Sequence, residues 1–135
     1  MTRPDQRGAL FFTGVAALAL VLLGCGRNDP VQIQTEWQGK CTQSGFEPYP
    51  MVMRITERKG KEFRGILHWP TLNNNKTEFR GLVKNDEFYF VEYKSIQGSS
   101  IGIPTIYEGR IIGDSLTGTY LYEKETGTFY VEKNN

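Results

Sequence analysis

Few residues in this chain could do covalent chemistry. It has one histidine, His68, and two cysteines, Cys25 and Cys41. A nucleophile with a general base would have to recruit His68. That residue shares the polar alternation of its segment with Glu62 and Arg64, so it is expected to face solvent. No Gly-x-Ser-x-Gly elbow and no phosphate loop occurs. Two cysteines and one histidine fall short of a zinc set, so no metal or other cofactor is expected. Among the carboxylates, Glu92 lies in register with Phe88 and Phe90, and Glu108 with Ile106, Arg110 and Ile112. Either register could face inward, and a buried carboxylate would then need a partner such as Arg110. The expected placement of both is outward. No catalytic residue is expected, and the protein is read as a non-enzyme.

The cysteines have a clearer use. A basic start, Arg3 and Arg7, precedes the apolar run from Ala9 to Leu23, and Gly24 stands before Cys25. This is the layout of a secretory signal. The run is about fifteen residues, short of the roughly twenty that a membrane helix needs. Plain secretion and an uncleaved anchor are the other two readings. The ending Leu22-Leu23-Gly24-Cys25 resembles the lipobox of bacterial lipoproteins. That resemblance implies cleavage before Cys25 and lipidation of its thiol. It divides the chain into a signal peptide (1–24), a lipidated tether (25–30) and a domain (31–135). Gly26 stands where an Asp would retain such a protein at the inner membrane, so the outer membrane is implied in a Gram-negative cell. Cys41 would then be a lone thiol. Without the lipid, the two cysteines could close a loop of about sixteen residues.

What remains after position 24 is about 110 residues, one domain's worth. Removing Arg3, Arg7 and Asp5 from the 16 basic and 15 acidic residues leaves 14 of each. A neutral chain with singly scattered charges offers no basic stripe, so a nucleic-acid partner is not expected. The polar stretch Gly26 to Pro30 could span at most about 17 Å, which would hold the domain close to the membrane.

From Val31 onward the pattern is that of β-strands, with period-two alternation and dense aromatic and β-branched residues. Strand one is expected from Val31 through Trp37, continuing towards Cys41. Further strands follow around Met51–Thr56, Glu62–Trp69, Thr77–Lys84, Glu87–Lys94, Thr105–Ile112, Ser115–Tyr122 and Thr128–Glu132. Lys59-Gly60, Asn85-Asp86 and Gly113-Asp114 read as tight turns. Thr42–Pro48, Pro70–Asn75, Ser95–Pro104 and Lys124–Gly127 read as longer loops. Long and tight connections alternate, which places all the tight turns at one end. The fold class expected is all-β, a small antiparallel up-and-down β-barrel of about eight strands. An open coiled sheet and a two-sheet sandwich are the alternatives. Strand count and meander order resemble the calycin group, the lipocalins and avidins. Trp37-Gln38-Gly39 is similar, in reversed order, to the Gly-x-Trp that opens many lipocalins.

Inward positions are expected at Phe63, Leu67, Trp69, Phe79, Val83, Leu116 and Phe129. Their bulk favours a filled barrel, while Gly65, Gly81, Gly109 and Gly118 on the same registers favour a hollow one. Six tyrosines, at 89, 93, 107, 120, 122 and 130, gather in the last four strands and suit a wet pocket or an interface. The function expected is a lipid-anchored cell-envelope module. It would bind a small apolar ligand or an envelope partner through the longer loops, with the membrane as a further partner through Cys25. The alternative is a structural or protein-interaction lipoprotein with a filled barrel and no ligand.

Overall fold

Alternation over eight segments leaves each strand with one apolar face, and closing the sheet on itself buries all eight faces at once. The computed structural model describes residues 29–98 and 103–135. Its strands are β1 (Glu36–Thr42), β2 (Tyr49–Lys59), β3 (Glu62–Trp69), β4 (Asn75–Lys84), β5 (Glu87–Gln97), β6 (Thr105–Ile112), β7 (Ser115–Tyr122) and β8 (Glu125–Lys133). Each pairs antiparallel with its neighbours in sequence, and β1 pairs with β8 to close the barrel. Closure leaves no free edge to template aggregation. All seven residues expected to face inward are buried. Cys25, the signal and all of the tether but its last two residues lie outside the described residues.

Two-residue turns at 60–61, 85–86 and 113–114 gather at one end, which we call the base. Gly60, Asn85 and Gly113 take positive φ there, as tight hairpins require. The opposite end, the mouth, carries the connections 43–48 and 70–74 and the one between β5 and β6. Its fourth connection is shorter than the sequence suggests. β7 and β8 are joined by Glu123 and Lys124 alone, with Glu123 at φ 56°. Gly127 reads as a loop glycine but lies within β8. A side chain there would strike the ring of Tyr120, 2.5 Å from its Cβ. Close packing, not a turn, explains that glycine.

The first expected strand also differs. Residues 31–35 do not join the sheet, because the β1 ladders reach only Glu36 with β2 and Trp37 with β8. Instead they fold across the base. Val31 is fully buried there, whereas Ile33, which shares its parity, is 52% exposed. Arg58 holds the segment. Its Nη1 donates to the Val31 carbonyl at 2.6 Å and lies 2.9 Å from Asp29 Oδ2. Gln34 N donates to the Ile55 carbonyl at 2.7 Å, and Ile55 N donates to the Thr35 carbonyl at 2.9 Å.

Above this plug the barrel is packed with rings. Phe90 stacks on Tyr107 with centroids 4.5 Å apart and planes 13° apart. It also meets Phe79 at 4.8 Å, Phe88 at 5.9 Å, Phe63 at 6.0 Å and Phe129 at 6.1 Å. The glycines expected to leave room do not leave it empty. A Cβ on Gly65 would meet the Phe79 ring, one on Gly81 would meet Phe90, and Gly109 and Gly118 pair backbone to backbone.

Candidate functional site

Ring packing stops short of the mouth. A cavity of about 200 Å³ opens there, lined by residues from all eight strands or their ends. Its buried carboxyl group is Glu92. Alternation along β5 puts Phe88, Phe90 and Glu92 on one face, and closure turns that face inward. Glu92 is 2% exposed. A bulge in the β4–β5 pairing follows at once, since Phe79 pairs with Glu92 but Glu78 pairs with Lys94, leaving Tyr93 as the extra residue. Bulges commonly stand beside functional side chains.

Three donors from three other strands converge on this carboxyl. Trp69 Nε1 of β3 donates to Oε2 at 2.8 Å, and Thr77 Oγ1 of β4 donates to the same oxygen at 2.5 Å. Tyr107 OH of β6 donates to Oε1 at 2.8 Å. All three donors are neutral. Burial raises the carboxyl above its ordinary range, and the three hydrogen bonds pull it back down. Burial, with Glu92 beside it, pushes the Tyr107 phenol well up.

Arg110, the partner expected for a buried carboxylate, lies outside, where Nη2 meets Asp86 Oδ2 at 2.7 Å. Glu108 is exposed as expected. The inward placement of Glu92 overturns the outward one expected from sequence. The physical reason is that neutral donors on β3, β4 and β6 supply the partners that no nearby cation does. His68 stays on the outer face, 3.2 Å from Asn74 Oδ1.

The tyrosines divide between two surfaces. Tyr107, Tyr120 and Tyr122 line the cavity, whereas Tyr89 and Tyr130 are exposed on the outside. Sequence reasoning missed Tyr49, which follows Pro48 and opens β2. It lines the cavity beside Trp69, with ring centroids 5.8 Å apart. Burial, the largest cause, raises the Tyr49 phenol. Its position two residues before Met51, on the same parity, was the available signal. Cys41 lies buried below, with its thiol 3.7 Å from Met51 Sδ and its ionisation strongly disfavoured by burial. At the rim, Gln43 Nε2 donates to Glu125 Oε1 at 3.2 Å.

Filled and hollow barrels are therefore both present, divided along the axis. Rings occupy the base half, and a polar-floored cavity occupies the mouth. Among the described residues, no group of three His, Cys, Asp or Glu is placed to hold a metal ion. No protein-family model matches the chain, and no curated protein matches its sequence.

Proposed function

We propose that this protein is a non-catalytic binding module of the bacterial cell envelope, anchored by lipid on Cys25, that takes a small molecule into its mouth cavity. The observation that carries the binding reading is the cavity itself. It is concave, open at one end, walled by aromatic side chains and floored by convergent polar groups, which is the common form of small-ligand sites. The anchoring reading rests on the apolar run and the Leu22-Leu23-Gly24-Cys25 ending. The plug of residues 29–35 lies at the base, so a tether attached to it would leave from that end. The mouth would then face away from the membrane, and Gly26 in place of Asp suits the outer membrane. The polar floor changes one expectation, because a wholly apolar ligand would leave Glu92 and its donors facing a group that cannot engage them.

Trp69 provides the assay. The chain has two tryptophans, and Trp37 lies near the base. In a Trp37→Phe background, fluorescence reports the indole that is bonded to Glu92. A small-molecule set spanning neutral, cationic and anionic compounds should contain members that change this signal saturably. The same members should no longer bind, as followed by calorimetry, when Leu72, on the cavity wall, is enlarged to Trp with Trp69 left in place. A set in which nothing binds removes the binding reading. The anchor is tested separately by intact mass of detergent-extracted protein, which should begin at Cys25 with acyl mass added.

A further inference from the structure

The cavity is one-sided in charge. Of the side chains that line it, Glu92 and Glu125 are carboxylates, and among the described residues no Lys, Arg or His lines it. Its remaining walls are dominated by Tyr49, Trp69, Tyr120 and Tyr122. Two of these planes stand at an angle rather than parallel, with Tyr49 and Trp69 at 53°. Rings set around a space at differing angles are the arrangement that receives a cation on several π-faces at once.

Glu92 points the same way. Three donors on one carboxyl are the complement of its ionised form, which only accepts hydrogen bonds. Yet ionisation at this depth is costly unless a positive charge comes near. No protein group among the described residues at the site supplies that charge. The chain has thus built the acceptor half of an ion pair, opened it to the cavity, and surrounded the opening with aromatic side chains.

We infer that the mouth cavity is a receptor for a small organic cation, a primary to quaternary ammonium group on a compact body, paired with Glu92 and enclosed by Tyr49, Trp69, Tyr120 and Tyr122. This rests on the reading of the cavity as a ligand site. Size restricts the class further. About 200 Å³ is the room of roughly seven waters and lies below the several hundred Å³ of drug-sized sites. A trimethylammonium group with a short arm fits that scale, and a long-chain or polycyclic cation does not.

Binding is coupled to one proton. The titratable groups around Glu92 are Tyr107 of β6, Cys41 of β1 and Tyr49 of β2, with Tyr120 of β7 and Glu125 of β8 nearer the rim. Burial raises the three phenols and the thiol, so each stays neutral at neutral pH. Glu92 is the carboxyl of the cavity floor, and burial raises it above its ordinary range. A bound cation favours its ionised form, and acid, by protonating it, opposes the cation.

The test uses choline and its neutral isostere 3,3-dimethylbutan-1-ol, with tetramethylammonium and butylamine as further cations. Binding to the folded domain would be measured by calorimetry and by Trp69 fluorescence. Choline should bind about tenfold or more tighter than the neutral isostere, as a desolvated cation–π and ion-pair site requires. Its affinity should fall as pH drops through the acid range. Glu92→Gln, which keeps the shape, should lose about tenfold or more for the cations and nothing for the alcohol. Equal binding of choline and the alcohol, or undiminished cation binding by Glu92→Gln, overturns the inference. The isostere comparison on the unmutated protein decides the matter even where Glu92→Gln does not fold. If neutral compounds bind and no cation of the series does, the cation inference falls and the ligand site stands. If nothing binds, both fall.

Discussion

Phe90→Ala should be the most damaging single truncation in the barrel. Phe90 is fully buried and has five ring partners within 6.1 Å of its centroid. Truncating a buried phenylalanine costs about 3–5 kcal/mol, and the cost rises with the cavity that cannot collapse. Collapse is restricted here because the partners stand on β3, β4, β5, β6 and β8, each held by ladders on both sides. The upper end, about 5 kcal/mol, is therefore expected. A domain of this size is stable by roughly 5–15 kcal/mol, so the loss is a third of the total at least. The midpoint of thermal unfolding should drop by roughly 20 °C. Phe88 is the internal control. It is buried as well, but its ring partners are Phe90 and Phe129 alone among the described contacts. Phe88→Ala should cost about 3 kcal/mol. Urea unfolding followed by tryptophan fluorescence measures both. A Phe90→Ala cost below about 2 kcal/mol, or one smaller than that of Phe88→Ala, would refute the claim that the closed barrel holds the gap open.

The remaining expectations concern the cavity floor, the plug and the thiol. Glu92 is raised above its ordinary value of 4.5 by burial, so the native state keeps its proton when the unfolded chain has released it. Stability from this group is then present below the unfolded value and lost as pH rises through the folded one. In the ligand-free protein, a titration of unfolding free energy upward from pH 4 should show a decline that Glu92→Gln abolishes. Arg58→Ala removes a hydrogen bond to the Val31 carbonyl and an ion pair to Asp29 in a part-buried setting. About 1–3 kcal/mol should be lost, with amide exchange accelerating first at Gln34 and Ile55, and unchanged exchange there would show that the plug holds without it. Native Cys41 should resist a thiol reagent and react only at the rate of unfolding, because the thiol is buried and its ionisation suppressed. Fast labelling in native buffer would contradict that.

Much of this barrel is determined by local pattern. Side chains alternate with period two along any strand, so Phe63, Leu67 and Trp69 share a face whatever the strand pairs with. Two-residue turns force antiparallel neighbours, and eight such strands close. The parity of Phe88, Phe90 and Glu92 is equally plain in the sequence. Parity does not say which face is inward, however, and on β5 both faces carry aromatic or aliphatic residues. Only closure turned Glu92 in. What made that placement tolerable lies 15 to 23 residues away, in Trp69, Thr77 and Tyr107. Likewise, Val31 and Ile33 continue the alternation of β1 without a break, yet they leave the sheet. β8 ends at Lys133, so the chain before Trp37 has no partner on that side, and on the other side it keeps only the Ile55 bonds to Gln34 and Thr35. Gly127 looks like a loop residue until the Tyr120 ring is placed against it. Local chemistry sets spacing and face, whereas the presence of a cavity, its floor and its charge depends on which distant strands meet. That meeting is set by closure of the barrel.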